Sequence, residues 1–348
     1  MTALPRVLVV DDSSFMRLAL RRIIEADADL LVVGEAADGL AGVEAAGRLH
    51  PDLVVMDLAM PVMGGIEATR RIMAMPAPPA IVVVSAHTRN GSAQALEALD
   101  QGAADYLWKD SDLGGPDLAR LDRELRPILH RWAAARRPPE HPLPRSERPA
   151  LAGARPEVLV IGASTGGPEA LAAFLEGCGP LPIPCVVAQH MPMGLAPELA
   201  AALSRRLSRP AVVAEDGMAL SSGLVALLPG GSDGVLVRRA ATGALVLRLA
   251  PTAAPVHPSV DVLFRSTAAT ATGALGVVLS GMGRDGAEGA AAMAARGMPV
   301  LAQQPESCIV GGMPGAVIAA GLARSVAPPA ALGAQVAALL ATMPRSAP

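Results

Sequence analysis

Val158-Leu159-Val160-Ile161-Gly162-Ala163-Ser164-Thr165-Gly166-Gly167-Pro168 decides the fold of the second half of this chain. Four apolar residues of strand length run into a glycine-rich turn, and Pro168, a residue favoured at a first helical position, opens a helix-compatible stretch. A strand, a sharp turn and a helix lift the Ser164 hydroxyl onto an exposed bend where a base can reach it. Two further apolar runs end in complementary chemistry. Cys185-Val186-Val187-Ala188-Gln189 leads to His190, and Gly276-Val277-Val278-Leu279-Ser280-Gly281-Met282-Gly283 leads to Asp285. The carboxyl ends of strands in an open α/β sheet share one rim, where ligands bind. A serine nucleophile, a histidine base and an orienting carboxylate therefore converge there.

Each residue has a plainer explanation. Glycine-rich turns often only make the turn, a strand-end histidine is more often structural, and Asp before Gly is commonly a cap. Three complementary strand ends in one segment weigh against all of these together. The chain order Ser, His, Asp departs from the Ser, Asp, His order of α/β-hydrolases. A dinucleotide fingerprint wants glycine where Ser164 stands and an acid at the end of the second strand, which here reads Ala188-Gln189-His190.

The chain has 348 residues, enough for two substantial cores, and at 2% aromatic content those cores are built from Ala, Val, Leu and Met. A net charge of −3 with no basic block gives no ground for nucleic-acid binding. No apolar run approaches the ~20 residues of a membrane helix. Met1 leads directly into Val7–Val10 without a signal-peptide layout, and the expectation is a cytoplasmic protein without membrane insertion. Cys178, Cys185 and Cys308 are not at metal-ligand spacing and read as reduced thiols.

Apolar runs at Val7–Val10, Leu31–Gly34, Leu53–Met56, Ile81–Val84 and Asp105–Trp108 alternate with helical patterns. They predict a doubly wound parallel sheet. Polar residues again cluster at the strand ends: Asp11 and Asp12, Asp57, Ser85 and Lys109. Three carboxylates on one rim repel one another unless a hard cation neutralises them, which suits Mg²⁺. The lysine and the hydroxyl complete a pocket for a phosphoryl group.

Residues 1–128 resemble a receiver domain of two-component signalling, with a flavodoxin-like fold. The resemblance implies that Asp57 accepts the phosphoryl group. It assigns Asp11, Asp12, Asp57 and position Ala59 to Mg²⁺, and Ser85, Tyr106 and Lys109 to the phosphoryl switch. Residues 156–345 resemble the catalytic domain of chemotaxis protein-glutamate methylesterases, a Rossmann-like three-layer fold. The matching segments are Ile161–Gly167, Gln189-His190-Met191-Pro192, Pro258–Phe264, Gly281–Gly286 and Gly312-Met313-Pro314. This resemblance implies hydrolysis of methyl esters and deamidation of glutamines on chemoreceptors by Ser164, His190 and Asp285. It further implies a partner histidine kinase, no metal in the catalytic domain, and oxyanion donors near Thr165 and Met282.

Residues 129–155, rich in proline and charge, form the expected linker. Departures from the family pattern are Ala59 and Gly64 in the pocket loop, Asp110 where proline with a cis bond is usual, Leu195 in place of phenylalanine, and Ser232-Asp233 where a histidine is often near. The Lys109-Asp110 bond is expected to be trans, since a cis bond before a non-proline residue costs ~3 kcal/mol. The Ala-rich tail after Val326 reads as an amphipathic helix. A second interpretation of the whole is a regulatory binding protein that sequesters a partner without chemistry.

Overall fold

The computed structural model describes residues 4–26, 28–86, 91–109, 116–135, 156–191, 193–254 and 256–342, divided into two compact units, 1–137 and 138–348. Asp110, Pro192 and 136–155 of the expected linker lie outside the described residues.

The first unit alternates β1 (Arg6–Val10), α1 (Ser14–Glu25), β2 (Leu31–Ala36), α2 (Gly39–Leu49), β3 (Leu53–Met56), α3 (Gly65–Met73), β4 (Ala80–Ser85), α4 (Gly91–Asp100), β5 (Asp105–Trp108) and α5 (Leu118–Ala135). The strands form one parallel sheet in the order β2-β1-β3-β4-β5, the flavodoxin-like arrangement expected. β1, β3 and β4 are flanked on both sides and lie wholly in the core after their first residue, which is why they read as unbroken apolar runs. The edge strand β2 runs two residues past the apolar reading. Glu35 keeps its place in the ladder opposite Val9 because its side chain leaves the sheet to meet Arg21 at 2.6 Å.

Helix α5 carries the unit beyond residue 128. Leu121, Leu125, Leu129 and Trp132 recur at helical spacing and are buried, and Trp132 Nε1 donates to the buried Asp105 at 3.1 Å. Ending the helix at 128 would expose that last turn, so it continues through Pro127 to Ala135. Gly64 has φ −71° and ψ 159°, an extended conformation open to any residue. The departure at this position therefore deprives α3 of a capping side chain.

The second unit contains β6 (Val158–Ala163), α6 (Gly167–Cys178), β7 (Cys185–Gln189), α7 (Ala196–Leu207), β8 (Ala211–Val213), β9 (Met218–Ala219), β10 (Val225–Leu227), β11 (Asp233–Arg238), β12 (Leu245–Ala250), α8 (Val260–Thr270), β13 (Ala274–Val278), α9 (Ala287–Ala295), β14 (Val300–Gln303), α10 (Gly312–Ala319), β15 (Ala323–Ala327) and α11 (Pro329–Ala341). Seven parallel strands run β15-β14-β13-β6-β7-β10-β8. From β6 the chain builds outward through β7, then returns to β13 on the other side of β6. That reversal places a crevice outside the carboxyl ends of β6 and β13, where open α/β sheets bind ligands. A separate antiparallel sheet, β11-β12-β9, was not legible in the sequence, because its strands are short and interrupted by turns. The tail forms the expected helix α11, burying Leu332, Val336, Leu339 and Leu340.

Candidate active site and acidic pocket

Ser164 follows β6, His190 follows β7, and Asp285 lies in the loop after β13. The ladder extends past the strands: Ser164 N donates to Ser280 O at 2.9 Å, and His190 N to Ala163 O at 2.9 Å. Three segments distant in sequence therefore meet because their strands are neighbours in the sheet. Gly166 caps α6 with φ +70°, which a side chain would strain, and an added Cβ would also lie 2.6 Å from Ile309. The turn thus ends abruptly and sets Ser164 beside the positive end of α6, buried at 2% exposure and not on the exposed bend expected from the sequence.

His190 Nε2 lies 2.8 Å from Asp285 Oδ2. An ionised carboxylate only accepts, so the ring proton sits on Nε2 and the Nδ1 lone pair is bare. His190 Nδ1 and Ser164 Oγ are both buried without a hydrogen-bond partner. Buried polar atoms without partners are uncommon in a folded interior, and these two belong to adjacent strand ends, where His190 N donates to Ala163 O.

Asp285 sits against the first turn of α8. Its carboxylate accepts from Val260 N at 2.7 Å, Asp261 N at 2.9 Å and Ser259 Oγ at 3.1 Å. Burial works to raise its pKa, but His190 and these helix N–H groups prevail and hold it below the ordinary carboxylate range. Asp261 returns the favour to α9, accepting from Gly286 N at 2.9 Å and Gly289 N at 2.6 Å. Two helix N-termini thus exchange carboxylates. Ser232-Asp233 also has a place here: Asp233, fully buried, accepts from Ser259 N at 2.6 Å and His257 Nδ1 at 2.9 Å and so holds the start of α8.

The exchange has a pH signature. Burial, then the Asp285 charge, push the Asp261 carboxyl up to about 7. Between the unfolded value of ~4 and that point the folded unit retains a proton that the unfolded chain has lost. Stability from this group is therefore full below pH ~4 and declines as pH climbs towards 7. The depressed Asp285 acts oppositely and in a lower window, losing its contribution as pH falls below the ordinary carboxylate range. Asp261→Asn keeps an acceptor for Gly286 and Gly289, so urea melts from pH 4.5 to 8 should show a shallower downward slope than those of the parent. An unchanged slope means that Asp261 ionises normally.

The expected oxyanion positions are both held from behind. Ser164 O accepts from Gly167 N and from Gln189 Nε2, each at 2.8 Å. In a trans peptide the next N–H points the opposite way, so Thr165 N–H faces away from Gln189. Gly281 O accepts from Met313 N at 2.9 Å, which turns Met282 N–H away from α10 in the same manner. Ser280 Oγ donates to Thr165 O at 2.7 Å, and Gln303 Oε1 accepts from Ser280 N at 2.8 Å. Sequence reasoning assigned no role to Gln189, Ser259, Asp261, Ser280 or Gln303. For Gln189, Ser280 and Gln303 the available signal was a polar residue closing a wholly apolar strand run.

The first unit gathers Asp11, Asp12 and Asp57 so that one carboxylate oxygen of each lies within 4.8 Å of the others. Lys109 Nζ reaches Asp11 at 2.6 Å and Asp57 at 2.9 Å. Burial pushes the Asp57 carboxyl up, Lys109 opposes this, and the Asp11 charge adds to it. Arg17 donates to the carbonyls of Asp11 at 2.8 Å and Asp12 at 3.1 Å and so shapes the acidic loop. An all-oxygen, multiply charged donor set fits a hard divalent cation. Ala59 is exposed and offers no side-chain ligand, only its carbonyl. Ser85 closes β4, and Tyr106 is buried edge-to-face on Trp108 at 4.7 Å. Burial is the main cause pushing the Tyr106 phenol up to about 12.

A family model described as CheB methylesterase matches residues 159–336, and one described as response regulator receiver domain matches residues 7–115. A protein-glutamate methylesterase/protein-glutamine glutaminase of Nocardioides sp. is 40% identical over 351 residues, covering 97% of this chain and 95% of that protein. Protein-glutamate methylesterase/protein-glutamine glutaminase 4 of Myxococcus xanthus is 40% identical over 333 residues, covering 92% and 93%. Among solved structures, the Thermotoga maritima CheB methylesterase catalytic domain aligns at 32% identity and a TM-score of 0.48, covering 54% of this chain and 100% of that one.

Proposed function

This chain belongs to the CheB methylesterase family and carries a response-regulator receiver domain, and from that premise we propose that it hydrolyses glutamate methyl esters on chemoreceptors under phosphorylation control. Receptor glutamines are its second substrate, converted to glutamate with loss of ammonia. The observation that carries the reading is the His190–Asp285 contact, which leaves Nδ1 bare, next to a strand end whose Ser164 hydroxyl is buried without a partner.

Ser164 Oγ attacks the ester carbonyl carbon while its proton passes to His190 Nδ1. Asp285 stabilises the imidazolium. The tetrahedral oxyanion accepts from Thr165 N–H and Met282 N–H, donors each worth ~3 kcal/mol in other hydrolases. Collapse expels the methoxy group, which takes the proton from His190 and leaves as methanol. Water then gives its proton to His190 and attacks the acyl-serine, releasing the glutamate carboxylate and restoring the hydroxyl.

In the receiver, Asp57 takes a phosphoryl group from a histidine kinase. Asp11, Asp12 and Asp57, with the Ala59 carbonyl, would hold Mg²⁺, which supplies neutralising charge to the phosphoryl oxygens. Lys109 exchanges its carboxylate contact for a phosphoryl oxygen, and Ser85 and Tyr106 respond to the new charge. No helix among the described residues is long and apolar enough to cross a membrane, in keeping with action on the cytoplasmic helices of receptors. The test is methanol release from methylated receptor by the full chain. A phosphodonor should raise the rate, and Asp57→Asn should retain only the basal rate with or without it. No methanol under any condition would sink the activity, and equal rates throughout would sink the control by phosphorylation.

A further inference from the structure

Gln189 is the last residue of β7 and is 1% exposed. Its single amide group donates to Ser164 O at 2.8 Å and to His190 O at 3.0 Å. One side chain therefore ties the turn that carries the serine to the strand end that carries the histidine. Its Oε1 is buried without a hydrogen-bond partner, so the amide is held in place through its nitrogen. The space it occupies is reserved by Gly167, where an added Cβ would lie 2.0 Å from Gln189 Oε1. Gly167 has no left-handed backbone to explain it, and alanine is the better helix former at an α6 position. The amide fills the space that a side chain at this position would take.

We propose that Gln189 is a positioning residue for the hydrolysis, holding the Ser164 and His190 carbonyls so that Thr165 N–H is aimed at the developing oxyanion. This rests on Ser164 and His190 acting as nucleophile and base. The peptide between Ser164 and Thr165 is planar, so its carbonyl and N–H move together. With the Gln189 bond gone, Ser164 O keeps only its Gly167 partner, and that peptide plane is free to tilt. A hydrogen bond to the oxyanion weakens steeply as its angle degrades. Substrate in its ground state has little charge on that oxygen, so the defect falls on the transition state.

The test is steady-state methanol release from methylated receptor by the full chain, comparing the parent with Gln189→Ala, Gly167→Ala, the double variant and Ser164→Ala. Gln189→Ala should lower kcat about 10- to 100-fold, below the 10²- to 10³-fold of outright donor removal, with KM within about twofold. Gly167→Ala reaches the same contact from the other side with the glutamine intact and should show the same split. In the double variant Gly167→Ala should add nothing, because its cost is the displacement of an amide already gone. Should Gln189→Ala fail to fold, Gly167→Ala alone still decides, and its full kcat would overturn the inference. Full kcat in a folded Gln189→Ala, a loss confined to KM, or additive losses in the double variant would overturn it equally. An active Ser164→Ala would instead overturn the nucleophile assignment on which it stands.

Discussion

Ser164→Ala should reduce methyl-ester hydrolysis by 10⁴-fold or more, with the receiver still phosphorylated at Asp57 as in the parent. The hydroxyl is the nucleophile, and the turn offers no replacement: Thr165 Oγ1 is buried on its own, and Ser280 Oγ is committed to Thr165 O at 2.7 Å. His190→Ala should cost a similar amount, because nucleophile and base act as a unit and losing either removes nearly all that the pair supplies. Asp285→Asn should be milder than either. The asparagine oxygen can still accept from Asp261 N, but it offers the imidazole no charge, and an NH₂ turned to Nε2 favours the wrong tautomer and leaves Val260 N–H, which shares that carboxylate oxygen, without an acceptor. Methanol release by the three purified variants checks the order. Ser164→Ala at even a tenth of the parental rate would remove the mechanism, whatever the other two did.

Gly65→Ala should abolish phosphorylation of Asp57 and destabilise the receiver by several kcal/mol. The chain leaves β3, passes Asp57 and enters α3 so closely that Gly65 N donates to Leu58 O at 2.9 Å. A Cβ built on Gly65 would lie 1.9 Å from the carbonyl oxygen of Asp57 and 2.9 Å from Leu58 Cα. Both are backbone atoms, so no side-chain rotation relieves the overlap, and either the start of α3 or the Asp57 peptide must move. Moving that peptide takes the acceptor carboxylate away from Lys109 and from the Asp11 and Asp12 oxygens. Gly64→Ala is the contrast. A Cβ there meets Leu58 O at 3.3 Å, the backbone is already extended, and near-normal labelling is expected. Phosphoryl labelling from a small-molecule donor, with thermal melts, reads both variants. Parental labelling and melting in Gly65→Ala would show that the β3–α3 approach is looser than the geometry demands.

Strand ends were the most legible part of this chain. A parallel strand buried on both faces must be apolar throughout, so its end is marked by the first polar residue, and that residue faces the ligand rim. Ser164, Asp11, Asp57, Ser85 and Lys109 stand where that rule puts them, whereas on β7 the first polar residue is Gln189 and His190 is the one after it. Asp285 was harder, lying in a loop well beyond β13. The helical tail was legible from its apolar spacing. The boundary at 128 was not, because Leu129 and Trp132 on α5 are core residues only by virtue of the sheet they cover.

By itself the sequence determined two parallel-sheet units, the five strands of the first in chain order, three of the seven parallel strands of the second, and the side chains at the ends of those strands. Periodicity and turn chemistry are local, and local interactions are sufficient to specify them. The tertiary structure alone decided which strands are neighbours, and hence that β6 lies between β7 and β13 with the crevice beside it. It alone decided that Asp285 grips His190 through Nε2, that α8 and α9 exchange carboxylates through Asp285 and Asp261, and that Gln189 turns back to hold two carbonyls. Each of these depends on groups distant along the chain meeting within about 3 Å, and a hydrogen bond's directionality is a property of that meeting, not of either residue.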